Sequence, residues 1–105
     1  MKKGLVYKKD TLAGTLLEDE NGYSFQYNEA YLQSPIYGAV SRTLPLREEV
    51  FIDKNMLPFF DGLIPEGWLL EIAIENWKLD RRDRMNLLLT LCEDCIGDIS
   101  IIKQK

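Results

Sequence analysis

Apolar and polar residues alternate in the first quarter of the chain, as they do in strands that bury one face. The segment YSFQYN, residues 23–28, alternates three aromatic residues with polar ones, which is a period of two. Residues 4–8 and 11–19 are short extended candidates joined through a Lys-Asp pair, and an Asn-Gly turn signal at 21–22 precedes the aromatic segment. The pattern predicts an antiparallel meander.

The period changes to that of α-helices in the second half. Apolar residues of segment 68–77 recur at i, i+3, i+4 and i+7, which predicts a buried helix face formed by Leu70, Ala73, Ile74 and Trp77. A second helix is predicted to begin near Asp80, which can cap it, and to end at Gly97. Its apolar side is formed by Met85, Leu88, Leu91, Cys92 and Cys95.

The segments between these regions are shorter. Residues 29–35 are expected to form a turn or a single helical turn, which Pro35 stops. Residues 39–46 read as another extended piece, whose end Pro45 places at a sheet edge or in a loop. Residues 47–53 are expected to lead into a loop or a brief strand.

A last strand is predicted at residues 98–103, and the whole pattern predicts an α+β fold. The expected architecture is a small antiparallel, barrel-like sheet with a helical part from residues 56–95 and a C-terminal strand. A chain of 105 residues can bury a hydrophobic core without disulfides or metal, so a single domain, 1–105, is expected.

Charge and hydropathy narrow the classes of partner. The net charge is −4 and the pI is about 4.8. Phosphate backbones repel such a chain, so no direct binding of nucleic acid is expected. No apolar run approaches the roughly 20 residues that span a bilayer, and no apolar stretch of a signal peptide follows the N-terminal lysines. The chain is therefore expected to stay in the cytoplasm, without membrane contact.

Candidate chemistry is sparse, because the chain contains no histidine, the commonest general base and metal ligand. Cys92 and Cys95 cannot complete a tetrahedral zinc site by themselves, and at a helix C-terminus the dipole disfavours a reactive thiolate. We interpret them as buried structural cysteines, with a thiol oxidoreductase as the enzymatic alternative. Asp61 and Glu66 are interpreted as a turn residue and a helix N-terminal residue rather than as a catalytic pair. No Gly-rich phosphate loop is present, so no enzyme, cofactor or metal is expected.

The segment FFDGLIPEGW, residues 59–68, combines apolar bulk with turn-forming residues. Phe59 and Phe60 are expected to anchor it to the core. On a helical wheel, Trp68 points away from the predicted buried face. Two interpretations remain open: Trp68 folds back onto Pro65 or the sheet, or it is an exposed anchor for a protein partner, as is typical of binding hot spots.

Five pieces of the sequence, in order, resemble the N-terminal subdomain of HipA-type serine/threonine kinases. FFDGLIPEGW resembles the family's FFxxLLP(D/E) segment, SRTLPL at 41–46 resembles SLSLPL, and DCIGDISII at 94–102 resembles the D-(S/C)-x-G-A-(V/L) close. The chain departs from the pattern where Cys92 replaces a usual Gly and Asp98 a usual Ala. The other two pieces are an opening hairpin and an F-x-Y…W-L stretch, carried by Val6, Gly14, Leu16, Phe25, Tyr27, Tyr31 and Leu32.

The resemblance implies a function without catalysis. A chain that stops after this subdomain is similar to the HipS-type small subunits of three-gene HipBST-type toxin–antitoxin systems. In those systems the kinase and a HipB-like DNA-binding protein are separate chains. The resemblance therefore implies a non-catalytic antitoxin subunit that binds and neutralises a HipA/HipT-type kinase, in a ternary complex with a HipB-like protein. The alternatives are a non-inhibitory scaffold that bridges these two proteins, and the N-terminal fragment of a HipA-type kinase.

The apolar segment supplies the expected contact with the kinase. Trp68 is the expected anchor, held outward on a stiff first helical turn. Glu66 is expected to meet a basic group near the nucleotide site of the kinase. The complete set of expected partner-binding residues is Ile64, Pro65, Glu66, Gly67, Trp68, Leu69 and Ile72.

Overall fold

The described residues include five antiparallel strands, which form one sheet. The structure is a computed structural model that describes residues 2–64, 67–92 and 98–104, with Trp68 described by its backbone alone. The order in the sheet is β4-β3-β2-β1-β5, and every neighbouring pair is antiparallel. The predicted meander, the brief strand and the C-terminal strand are confirmed. The strands are β1 (Lys2–Lys8), β2 (Thr11–Asp19), β3 (Gly22–Tyr27), β4 (Phe51–Asp53) and β5 (Ile99–Lys103).

The sheet is open, so the expected barrel-like closure is wrong. Strands β4 and β5 lie at opposite edges and do not pair with each other. Strand β4 is three residues long, which offers little edge for closure. At the other edge, the Ile101 N–H donates to the Cys92 carbonyl oxygen at 2.9 Å, so a closing strand would have to displace that bond. The α+β class itself is confirmed.

The turn between β2 and β3 requires glycine at its exit. Gly22 has a φ of 132°, and a Cβ there would lie 2.4 Å from the Asp53 carbonyl oxygen. This close approach accompanies the pairing of Tyr23 with Asp53 at the start of the β3–β4 ladder. The Asn-Gly turn signal is therefore confirmed, and its glycine also allows the backbone of β4 to lie close to the turn.

In the parts of the chain with described structure, four helices follow or interrupt the sheet. These helices agree with three predictions from the sequence: the helical turn within 29–35, the helix at 68–77 and the helical character of 56–95. No helix in the part of the chain that the structure describes is long and apolar enough to cross a membrane. The helices are α1 (Glu29–Gln33), α2 (Pro58–Asp61), α3 (Gly67–Trp77) and α4 (Arg84–Leu91).

Residues 39–46 do not form the predicted extended segment. The Leu44 N–H donates to the Ser41 carbonyl oxygen at 3.0 Å and closes a turn, beside an isolated bridge between the same two residues. The Tyr27 hydroxyl explains the turn, because it accepts from the Val40 N–H at 2.9 Å and donates to the Leu44 carbonyl oxygen. Side-chain bonds thus take up backbone groups that a strand would pair with another strand.

Helix α4 begins later than predicted. Its N-cap is Asp83, whose carboxylate accepts from the Asn86 N–H at 3.1 Å. Asp80 instead accepts from the Arg82 N–H at 2.9 Å, which stabilises the preceding turn. The prediction of Asp80 as the cap is therefore wrong, because this short-range bond holds residues 80–82 outside the helix.

The end of α4 lies at Leu91, with Cys92 as its C-cap. The predicted end at Gly97 and the predicted helical position of Cys95 fall outside the described residues. Within the described part, α4 is buried on more than one side, because it packs against both β5 and α2. Its buried residues are Met85, Leu87, Leu88 and Leu89.

The core lies between the inner face of the sheet and helices α2 and α4. The Phe25 ring centroid lies 4.9 Å from that of Tyr27 and 5.3 Å from that of Phe60. Phe60 is fully buried and Phe59 packs against the core, so the predicted anchoring of this pair is confirmed. The aromatic alternation of β3 therefore supplies the centre of the core.

Candidate functional site

The candidate site is the exposed side of α3, which follows directly on the buried segment around α2. Ile64, between the two helices, has only 2% of its surface exposed and belongs to the core. This corrects the expectation that Ile64 lies around Trp68 on the surface. The side chain turns inward because α2 is already anchored by Phe60, which holds the following turn against the core. Pro65 and Glu66 lie outside the described residues.

Gly67 sets the direction in which α3 leaves this turn. Its φ is 61°, in the left-handed region that favours glycine. A Cβ at this position would meet nothing within 4 Å. The requirement for glycine is therefore a matter of backbone conformation rather than of space.

Leu69 and Ile72 form the exposed apolar surface of α3. Their side chains are 51% and 45% exposed, and their spacing of three residues makes them neighbours on the helix surface. The opposite side carries Leu70 and Ile74, which pack against the core. Trp68 lies in the first turn beside Leu69, although its side chain is outside the described part. Four of the predicted site residues therefore lie in the first two turns of α3, namely Gly67, Trp68, Leu69 and Ile72.

Trp77 departs from the predicted buried face of α3, because its side chain is 65% exposed. It is the last residue of the helix, where the left-handed Lys78 follows with a φ of 55° and turns the chain away. The spacing of apolar residues assigns a side chain to a face, but it does not show whether the core extends as far as that residue. The nearby helix end was the signal that this tryptophan lies beyond the core.

The C-terminal end of α3 has the hydrogen bond of a Schellman motif. The Leu79 N–H donates to the Ile74 carbonyl oxygen at 3.1 Å, across Lys78. Leu79 and Ile74 are also both packed against the core. Glycine usually occupies the left-handed position of this motif, so a lysine there carries a conformational cost.

Ion pairs surround α3 and the turn that follows it. The Arg84 Nε lies 2.7 Å from the Asp61 Oδ1, and Arg81 pairs with Glu71 of α3. All these side chains are partly exposed, so each pair contributes little to stability. Asp61 is the last residue of α2, and it is paired with Arg84, the first residue of α4. This position suits the interpretation of Asp61 as a turn residue.

The described cysteine belongs to the hydrophobic core. Cys92 is buried, with its Sγ 3.3 Å from the Leu63 carbonyl oxygen, which confirms the structural interpretation for this residue. Cys95 lies outside the described residues. Within 2–64, 67–92 and 98–104, no three His, Cys, Asp or Glu side chains are grouped so as to hold a metal ion.

Comparisons with known proteins agree with the resemblance in the sequence. The family model described as HipA N-terminal domain matches residues 4–102. An uncharacterized protein of Haemophilus influenzae is 30% identical over 105 residues, which cover all of this chain and 95% of that protein. A solved structure titled "N-terminal domain of HipA toxin" is 27% identical, with a TM-score of 0.77, and the match covers 100% of this chain and 94% of that one.

A further relative is much longer than this chain. The protein named "Putative kinase Y4mE", from Sinorhizobium fredii, is 27% identical over 100 residues. The match covers 94% of this chain but only 24% of that protein. In this relative, the region similar to the present fold is accompanied by about three times as much additional chain.

Proposed function

The chain belongs to the HipA N-terminal domain family, and we propose on this premise that it is a non-catalytic subunit that binds and neutralises a HipA/HipT-type serine/threonine kinase in the cytoplasm. The observation that carries the proposal is the apolar surface of Leu69 and Ile72 on α3. Exposed apolar side chains grouped on one turn are typical of protein-binding surfaces. The family relationship supplies the class of partner.

The proposed contact centres on the first turn of α3. Trp68 is the anchor, with Leu69 and Ile72 beside it. Gly67 sets the direction of the helix, and Pro65 is proposed to belong to the contact. Glu66 is proposed to meet a basic group near the nucleotide site of the kinase. Ile64 is no longer included, because it is buried and supports this turn from the core side.

The long kinase-named relative supports the choice of a kinase as the partner. It carries the matched region together with additional chain, so a region similar to this chain occurs within a longer polypeptide that is named a putative kinase. The same observation favours a second candidate function, in which the present sequence is the N-terminal part of a HipA-type kinase and the α3 surface contacts the rest of that protein.

A HipB-like DNA-binding protein is the proposed third member of the complex, and it supplies any binding to DNA. In a third arrangement, the chain bridges the kinase and this protein without inhibiting the kinase.

Growth rescue tests the proposal. The chain is co-expressed with the HipA-type kinase encoded beside its gene, and growth is compared for wild type, Trp68→Ala and the matched control Trp77→Ala. Trp77 is exposed at the other end of the same helix. A buried aromatic anchor contributes at least about 2 kcal/mol to binding, so Trp68→Ala should weaken kinase binding about thirtyfold and reduce rescue. Trp77→Ala should rescue as wild type does.

Circular dichroism and matched expression levels make the comparison interpretable. A folded Trp68→Ala variant that rescues growth fully contradicts the proposed anchor. Binding of the wild-type chain without any rescue favours the bridging scaffold. Absence of a separate kinase gene, with the coding sequence continuing into a kinase, favours the second candidate.

A further inference from the structure

Helix α3 differs from α4 in how it is held. Every side chain of α3 that the structure describes is at least partly exposed, whereas α4 has four buried residues. We infer that α3 opens independently of the rest of the domain and that the partner kinase holds it in its ordered form. This inference rests on the proposed function, because it takes the same kinase as the partner.

The length of α3 makes it dependent on its surroundings. Helices shorter than about 12–15 residues are marginal in water when isolated, because few hydrogen bonds offset the cost of the first turn. Helix α3 has 11 residues. Its support from the core comes from the partly buried Leu70 and Ile74, and the Glu71–Arg81 pair is too exposed to add much. Elements with so few buried contacts open with low free energy.

A residue with a positive φ marks each end of α3. Gly67 precedes the rest of the helix with a φ of 61°, and Lys78 follows it with a φ of 55°. The chain changes direction at both residues. The ladder of the sheet and the Asp83 cap of α4 lie outside the segment between them, so opening of α3 breaks none of their hydrogen bonds. The lysine adds to this tendency, because a side chain other than glycine is disfavoured in the left-handed region.

A kinase bound to Leu69 and Ile72 would supply the apolar contacts that the domain does not give to this side of α3. The additional chain of the kinase-named relative is the observation that favours this occupant over a second copy of the chain. Binding then includes the ordering of α3, which lowers the affinity relative to that of a fully rigid helix.

Amide hydrogen exchange on the full chain, free and bound to the kinase, tests the inference. In the free chain, amides of residues 71–77 in α3 should exchange at least about 100-fold faster than those of residues 87–91 in α4, after correction for intrinsic rates. Kinase binding should slow the α3 amides at least about tenfold and the α4 amides less. Similar rates in the two helices of the free chain overturn the inference. So do α3 amides that stay fast in a saturated complex.

A pair of lysine-to-glycine variants shows whether the opening is local. Lys78→Gly relieves the left-handed residue at the end of α3 and should slow exchange of the α3 amides about fivefold. Lys9→Gly is the matched control, because Lys9 has a φ of 56° in the β1–β2 turn and the variant removes the same charge. It should leave the α3 amides unchanged. Equal slowing of the α3 amides by both variants means that α3 opens only with the whole domain, which overturns the inference.

The failure of this inference differs from the failure of the proposed function. If the wild-type chain does not bind the kinase, the proposed function fails and the coupling to binding fails with it. If the kinase binds but α3 is already as protected as α4 in the free chain, the proposed function stands and only the inference is overturned.

Discussion

Replacing Tyr27 by phenylalanine removes one oxygen atom that joins the sheet to the loop of residues 34–46. The hydroxyl accepts from the Val40 N–H at 2.9 Å and donates to the Leu44 carbonyl oxygen. Val40 and Leu44 are only 6% and 3% exposed, so water does not readily replace the lost partner. The ring, which packs 4.9 Å from Phe25, is retained. The substitution therefore isolates the hydrogen bonds from the packing.

The expected cost of Tyr27→Phe is about 2–4 kcal/mol in the free energy of unfolding. A buried donor or acceptor that loses its partner costs about 1–3 kcal/mol, and here one donor and one acceptor are affected. The lower part of the summed range applies because the loop of residues 34–46 can rearrange in the variant and regain part of the lost hydrogen bonding. Tyr31→Phe is the matched control. Its hydroxyl donates to the Gly38 carbonyl oxygen at 2.6 Å, and this bond is only partly buried, so its loss should cost about 1 kcal/mol.

Urea unfolding followed by circular dichroism measures both variants, with the m-value checked for constancy. The backbone amide resonance of Val40 should also shift in Tyr27→Phe and not in Tyr31→Phe. A Tyr27→Phe variant within about 0.5 kcal/mol of wild type, or no more destabilised than Tyr31→Phe, would refute the reasoning that buried backbone groups depend on this hydroxyl.

Three further predictions concern the core, a helix cap and alkaline pH. Leu88→Ala should lower the free energy of unfolding by about 2–5 kcal/mol, because Leu88 is fully buried, and an unchanged thermal midpoint would contradict this. Asp83→Ala should cost about 1 kcal/mol through loss of the α4 cap, whereas Asp80→Ala should cost less in the same urea assay; the reverse order would return the cap to Asp80. Burial, followed by the neighbouring carboxylate of Glu18, raises the pKa of Tyr23 from 10.0 to about 12. The unfolded chain therefore loses this proton first, and stability should fall as the pH rises from about 10 toward 12, whereas unchanged denaturation midpoints across that window would contradict the assignment.

The local pattern of the sequence was sufficient for most of the elements. The aromatic alternation around Phe25 predicted β3 and its buried face, and the helical spacing from Leu70 to Ile74 predicted α3 and the side that meets the core. The resemblance to the HipA N-terminal subdomain was likewise readable from short motifs in order. These features depend on neighbours within a few residues, which is why periodicity and turn residues reveal them.

The candidate site was only partly predictable. Leu69 and Ile72 are exposed, as the expected contact requires, but Ile64 is buried and Trp77 is exposed. For Ile64 and Trp77, local spacing in the sequence predicts where the side chain points relative to the neighbouring residues. It does not predict where the core lies. The core position depends on how α2 and α4 meet the sheet, which involves contacts between residues far apart in the chain.

The sequence by itself determined most of the strands, the helical half, the net negative charge and the family resemblance. Tertiary structure decided that the sheet stays open, that α4 is buried on several sides while α3 is not, and that Asp83 rather than Asp80 caps α4. The physical reason is that periodicity records which face of an element is apolar, whereas burial depends on which other elements cover that face. Helix α4 lies against both β5 and α2, so more than one of its sides is covered. Helix α3 is covered on one side only, and its apolar residues Leu69 and Ile72 stay exposed.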